Sequence, residues 1–277
     1  MEKRATLEGK IAIVTGASEG IGFGIASALA FHGSLVYLVA RTKDKLEEAE
    51  NKIRKSGGKA ESKVGDITKI ETITKIIDEV YSTHNKLDIF VNNAGTWKGQ
   101  SLETPFEEIE ALINFDMLSP YRITHYLAQK FKHTKNNLKI LTVLSQASLK
   151  VFEIGLGYGP AKMGLTSALF HLEKEIEEEK IKNITLYRIY PNTVATEKVM
   201  PFIKQGKISN PVSTEAVIST AIDLLLERTP TRDARIGYYP ERGIVETYLA
   251  STPEEFYKQT IISEKVIDKS FNPDIDL

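Results

Sequence analysis

The sequence predicts an α/β fold: a doubly wound parallel sheet of about seven strands, in a single domain, with helices on both faces. Two observations carry this prediction. Apolar runs of strand length alternate with long amphipathic segments along the chain. The runs are continuous rather than alternating in polarity, which marks strands covered on both faces. The 277 residues, 42% of them hydrophobic, are enough for one such domain and its core.

The elements follow in order. Ile11 to Val14 is the first strand, and a helix runs from about Gly20 to His32. Leu35 to Val39 is the second strand, and Lys43 to Lys55 a charged helix. Lys59 to Val64 is a weaker strand, followed by a helix over Lys69 to His84 with Ile73, Ile76, Ile77 and Val80 on one face. Leu87 to Val91 is the fourth strand. A long helical stretch from about Pro105 to His133 is expected to break near Pro120. Leu138 to Leu144, the helix Tyr158 to Lys180, and the strand Ile184 to Tyr190 complete the regular part. No repeat or Pro/Gly/Ser-rich linker divides the chain, so residues 1–277 read as one domain with an unusual tail from about 241 to 277.

Composition excludes several functions. A net charge of −1 gives no reason to expect nucleic acid or an acidic membrane surface as partner. Cysteine is absent, so disulfides, thiolate chemistry and Cys-based zinc sites are excluded. The five histidines show no ligand spacing, and no metal is expected. No GxSxG elbow is present. The charged N-terminus lacks a signal-peptide core, and no run could span a bilayer. The expectation is a cytoplasmic protein without membrane contact. Asn183-Ile184-Thr185 is a formal glycosylation sequon, discounted because it opens a strand.

The chemistry begins at Thr15-Gly16-Ala17-Ser18-Glu19-Gly20-Ile21-Gly22, directly after the first strand. Glycines let the backbone turn tightly, and the next helix points its N–H groups at a phosphate. Tyr158 and Lys162 stand one helical turn apart on one face. An ammonium beside a phenol favours the phenolate and makes it a usable acid–base group. Ser145 lies at the end of the fifth strand, with Ser148 as the alternative hydroxyl. Asn92-Asn93-Ala94-Gly95 follows the fourth strand.

The TGxxxGxG spacing, the YxxxK pair with a serine thirteen residues upstream, and the NNAG tetrapeptide together resemble the short-chain dehydrogenase/reductase family, whose fold is Rossmann-like. The resemblance covers roughly residues 7 to 200. It implies a catalytic tetrad of Asn114, Ser145, Tyr158 and Lys162, in which the asparagine holds a water in a proton relay to the lysine and the serine hydrogen-bonds the substrate oxygen. It implies cofactor contacts from Gly16, Ser18, Glu19, Gly20, Ile21, Gly22, Asn93, Ala94 and Gly95. Tyr158 and Lys162 also border the cofactor. Pro191, Val194 and Thr196 match PGxVxT, whose threonine contacts the nicotinamide carboxamide. Asp66 resembles the aspartate that contacts adenine, with Ile67 flanking the ring. Three departures stand out: Asn192 in place of a glycine, Gln146 in place of a small residue, and the ending after the seventh strand.

The acidic residue that would accept from ribose hydroxyls is missing: Ala40 ends the second strand, followed by Arg41, Thr42 and Lys43. A guanidinium there pairs with a 2′-phosphate, so NADP is favoured over NAD. Glu19 is a counter-signal, since NADP-binding relatives often carry a basic residue there. Trp97, Ser145, Phe152, Ile154 and Met200 are the candidate substrate pocket, with Trp97 equally readable as core. The expected activity is an NADP-dependent oxidoreductase interconverting a ketone or aldehyde and an alcohol by hydride transfer. A 3-oxoacyl-thioester reductase is the alternative substrate assignment. A catalytically silent dinucleotide-binding sensor or scaffold is the alternative from another class. The expected partner is a small-molecule carbonyl or alcohol, and the resemblance implies a homodimer or homotetramer. The tail residues Val245, Tyr248, Leu249, Phe256, Tyr257, Ile261 and Ile262 need a cover, either over the site or on a neighbour.

Overall fold

The computed structural model describes residues 7–152 and 155–270. Their strands form one sheet in the order β3-β2-β1-β4-β5-β6-β7-β8-β9. The parallel part comprises β1 (Ile11–Thr15), β2 (Leu35–Ala40), β3 (Lys59–Val64), β4 (Ile89–Asn92), β5 (Leu138–Val143), β6 (Ile184–Pro191) and β7 (Asp233–Tyr239). The chain winds outward from β1 to β3, then crosses back to place β4 beside β1, with Val14 opposite Val91. That reversal opens a crevice at the carboxyl ends of β1 and β4, where ligands bind in such sheets.

Successive residues of β1 feed opposite faces, as strand geometry requires. Ala12 and Val14 join one core, built on α1 (Gly20–Phe31), α2 (Lys43–Lys55) and α8 (Thr214–Leu225). Ile11 and Ile13 join the other, under α3 (Ile70–His84), α5 (Ser119–Phe131) and α6 (Tyr158–Glu178). Full burial of β1 on both sides explains its unbroken apolar run.

The expected helix break near Pro120 takes another form. Between α4 (Phe106–Ile113) and α5 the backbone widens into a π-helical turn, Asn114–Leu118. Pro120 has no N–H to give to the preceding turn. The N–H of Ser119 instead reaches back to the Asn114 carbonyl, and the Ser119 hydroxyl donates to the same oxygen at 2.7 Å. The helix is re-registered rather than broken.

The sheet extends two strands beyond the expected seven. After α8 come β7, then antiparallel β8 (Gly243–Leu249) and β9 (Ile261–Asp268). The tail thus covers its own sheet. Short helix α9 (Pro253–Tyr257) buries Phe256 fully, with its ring centroid 4.8 Å from that of Phe170 and 5.1 Å from that of Tyr190. Val245, Tyr248 and Leu249 are buried as well, whereas Tyr257, Ile261 and Ile262 stay exposed. Beside this cluster lies a buried charge network. Arg188 of β6 pairs bidentately with Asp233 of β7 at 2.5 and 2.8 Å, and its third nitrogen reaches Glu173 of α6 at 2.8 Å. Among the described residues, no helix is long and apolar enough to cross a membrane.

Candidate functional site

The glycine turn and the loop after β4 are built as one unit. The Thr15 hydroxyl donates to the Val91 carbonyl at 3.1 Å and accepts from the N–H groups of Asn93 and Ala94, each at 3.1 Å. The Asn93 amide donates back to the Thr15 carbonyl at 2.9 Å. Asn92 points the other way, donating to the Thr124 hydroxyl of α5 at 2.8 Å. Space at this junction is fully used. A Cβ at Gly22 would lie 2.3 Å from both the Asn93 amide nitrogen and the Gly16 carbonyl, and one at Gly16 would lie 2.8 Å from Ala94 Cα. Gly16 and Gly20 adopt left-handed backbone, φ +64° and +58°, open to glycine at little cost. Ser18 and Ile21 are half-buried in the same turn.

Helix α1 starts there with no side-chain cap on its first N–H groups. Its N-cap residue, Glu19, uses its carboxylate elsewhere. It bonds Lys45 of α2 at 2.9 Å and Lys198 of the segment after β6. Lys198 and then Lys45 hold the Glu19 carboxyl below its ordinary range, against a smaller effect of burial.

At the end of β2, the Arg41 guanidinium carbon sits 5.4 Å from the ring centroid of Phe115, in the π turn. Asp66 accepts from the Thr68 N–H at 2.9 Å and its hydroxyl at 2.8 Å. Burial works against its charge, but these bonds and the Arg41 and Lys69 cations hold its carboxyl low. Arg41, Phe115 and Asp66 therefore frame one place at the β2–β3 edge of the crevice. Thr42 caps α2 in extended backbone without a side-chain bond. Ile67 is buried in the core beneath α3, its side chain turned to packing rather than to the crevice.

Tyr158 opens α6, and the Lys162 ammonium lies 5.6 Å from its ring centroid. Lys162 is 5% exposed and reaches a partner that the sequence reading passed over: Asp116 Oδ1, fully buried, 3.2 Å away. The Thr96 N–H donates to both Asp116 oxygens at 3.2 and 3.3 Å. Asn114 lies elsewhere. Its side-chain oxygen accepts from Arg122 at 3.4 Å, in an exposed setting. Two residues apart on a helix means nearly opposite faces. The structure therefore does not bring the Asn114 side chain to Lys162: the group beside the ammonium is a carboxylate two positions on. The π turn that shifts the register leaves no mark in hydrophobic periodicity.

Ser145, two residues beyond β5, is half-buried, and its hydroxyl accepts the Ala147 N–H at 3.1 Å. Ser148 is buried and spends its hydroxyl on the Lys162 carbonyl at 3.1 Å. Of the two serines, Ser145 is the one left with donor capacity. Gln100, also passed over, accepts from the Gly157 N–H at 2.7 Å and so ties the loop after β4 to the residue before Tyr158.

The segment after β6 closes the far side. Pro191 ends the strand, buried; Val194 is buried and bridges Val212. Asn192, standing where a glycine was expected, keeps the turn by donating its N–H to the Ile236 carbonyl at 2.9 Å and its amide to Asn210. Gln146 is likewise absorbed, its amide donating to Ile236 at 2.9 Å. A Cβ on Gly20 would meet the Thr196 methyl at 3.5 Å, so Thr196 lies directly against the glycine turn. Trp97 is 54% exposed and not core, and Phe152, Leu156 and Phe202 are exposed too. Met200 begins short helix α7 (Met200–Lys204). Ile154 lies outside the described residues. Among the described residues, no cluster of His, Cys, Asp or Glu has the makings of a metal site.

Comparison with known proteins bears on the family and the fold. Residues 10–206 match the family model described as short chain dehydrogenase. A fatty acyl-CoA reductase of Acinetobacter baylyi is 28% identical over 248 residues, 88% of this chain and 81% of that protein. Among solved structures, a 7α-hydroxysteroid dehydrogenase complexed with NADH and 7-oxo glycochenodeoxycholic acid superposes with a TM-score of 0.72 at 24% identity, covering 80% of this chain and 89% of that one. A short chain dehydrogenase from Burkholderia cenocepacia in complex with NADP gives 0.71 at 22% identity, covering 82% and 95%. Both likenesses bear on the fold.

Proposed function

The chain belongs to the short chain dehydrogenase family, and on that footing we propose that it is an NADP-dependent oxidoreductase interconverting a ketone or aldehyde with an alcohol. The observation that carries the reading is the Tyr158–Lys162 pair and its link to the glycine turn. Lys162 Nζ would lie 3.3 Å from a Cβ on Gly95, while Ala94 meets Gly16 from the same loop. Phenol, ammonium and phosphate-type turn therefore share one crevice.

The residues present fit a dinucleotide. The first turn of α1 offers N–H groups that no side chain caps, beside glycines that leave room for close approach. When bound, the nicotinamide supplies or accepts the hydride. The proton falls to the chain. The Tyr158 hydroxyl gives its proton to the substrate oxygen in reduction and takes one from the alcohol in oxidation. The buried Lys162 ammonium makes the phenolate attainable. Ser145 donates a hydrogen bond to the same oxygen and orients it. Thr196, with Pro191 and Val194 behind it, borders the carboxamide.

The cofactor preference rests on charge. No carboxylate ends β2, and Arg41 stands at the rim instead. The one acidic residue in the glycine turn, Glu19, is neutralised by Lys45 and Lys198, so it does not repel a 2′-phosphate. The solved neighbours hold NADH in one case and NADP in the other, so the proposed preference rests on these residues alone. The exposed Trp97, Phe152, Leu156 and Phe202 favour an apolar substrate. The similarity to a fatty acyl-CoA reductase over 88% of the chain favours, as a second reading, an acyl-thioester carbonyl. A panel of ketones, aldehydes, alcohols and acyl thioesters, followed by nicotinamide absorbance with each cofactor, tests this. Turnover of a carbonyl with NADPH supports the proposal. Tight NADPH binding without turnover of any panel member would leave the silent binder as the better account.

A further inference from the structure

One ionisable group in the crevice has no part in the proton exchange described above. Asp116 is completely buried, and its carboxylate lies 3.2 Å from the Lys162 ammonium. The site is constructed around this contact. The π turn aims Asp116 inward, the Thr96 N–H holds both of its oxygens, and a Cβ on Gly95 would crowd the aspartate at 3.0 Å and the ammonium at 3.3 Å. π turns recur at functional sites for this reason: they redirect one side chain without ending the helix.

The consequence is electrostatic. Lys162 helps Tyr158 by favouring the phenolate, on the reading of Tyr158 given above. A carboxylate against the same ammonium cancels part of that field, and burial keeps water and salt from screening either charge. We propose that Asp116 is a positioning residue that pins Lys162 and offsets its charge, so that Tyr158 holds its proton to higher pH and carbonyl reduction is favoured over alcohol oxidation. The proposal rests on Tyr158 being the group that trades the proton.

The groups facing the pair are few. The π turn supplies Asp116, and α6 supplies Lys162 and Tyr158. The loop after β4 contributes only the Thr96 N–H and the bare face of Gly95. The short turn after β5 contributes Ser148, already spent on the Lys162 carbonyl. Among the described residues, no other charged side chain perturbs either member. Burial raises the Asp116 carboxyl against the pull of Lys162. Burial also opposes the Lys162 ammonium, yet Asp116 and then Tyr158 outweigh it and raise that group too.

The test uses the whole chain without dinucleotide. Tyrosinate absorbance is followed against pH, and subtracting the Tyr158→Phe protein isolates one phenol among eleven tyrosines. The same subtraction is made in an Asp116→Asn background. The proposal expects the Tyr158 midpoint to fall by about 1–3 pH units when the carboxylate is neutralised. In the loaded enzyme, the pH optimum for reduction should fall with it. An unchanged or higher midpoint overturns the proposal. Should Asp116→Asn not fold, Asp116→Ser keeps an acceptor for the Thr96 N–H and carries the same expectation. If Tyr158 is not the proton-trading group, Tyr158→Phe retains turnover while the titration still responds to Asp116, so the two failures read apart.

Discussion

Glu19 in the glycine turn is bound 2.9 Å from Lys45 of α2 and is also bound to Lys198 from the segment after β6. One carboxylate thereby clips together the two walls of the crevice. Its folded-state carboxyl is depressed, so the stabilisation is present above the ordinary glutamate range and is lost as pH falls through the depressed value. Glu19→Gln should remove that dependence. Denaturant melts across acid pH should show the parent losing more stability than the variant. Parallel losses would remove the clip from the account.

On the proposed reading, the arginine that follows β2 favours NADP. Arg41→Ala should weaken NADPH roughly ten- to hundredfold, the worth of a charge-assisted bond, and NADH far less. Fluorescence titration with both nucleotides measures this. Equal losses would reassign Arg41 to a loop cation.

At Gly22 the turn has no room for an added carbon. Gly22→Ala would place a methyl 2.3 Å from the Gly16 carbonyl and the Asn93 amide. About 1–3 kcal/mol of stability should be lost. Dinucleotide binding should weaken further, because the turn must shift to make room. Calorimetry with and without NADPH separates the two effects.

Away from the crevice, Arg188 and Asp233 are fully buried, and Glu173 links them to the more exposed Arg232 at 2.9 Å. Asp233→Asn leaves a buried guanidinium short of a counter-charge and also disturbs the Tyr190 hydroxyl, which donates to Asp233 at 3.0 Å. The expected cost is about 3–5 kcal/mol in chemical denaturation, with no change in cofactor preference.

Much of the fold is legible in the sequence itself. Continuous apolar strands separated by amphipathic helices dictated a covered parallel sheet, and the placing of β4 beside β1 follows from the winding. The glycine turn, the NNAG loop and the Tyr158–Lys162 spacing were legible because each is a local pattern. Asp116 was not. Its place depends on the π turn Asn114–Leu118, and the resemblance to the family pointed to the asparagine two positions earlier, Asn114. Ile67, which the resemblance sets beside the adenine, is packed into the core beneath α3. The added strands β8 and β9 escaped notice because an antiparallel edge has only a weak pattern. The buried Phe256 and Tyr248 had already signalled that the tail needed a partner, and the partner is the sheet itself.

The central claim is that one phenol moves the proton. Tyr158→Phe, assayed by nicotinamide absorbance with the best substrate of the panel and by NADPH titration, tests it most directly. The account predicts a turnover loss of about a hundredfold to ten-thousandfold with NADPH affinity nearly unchanged. Turnover within a few-fold of the parent would contradict it.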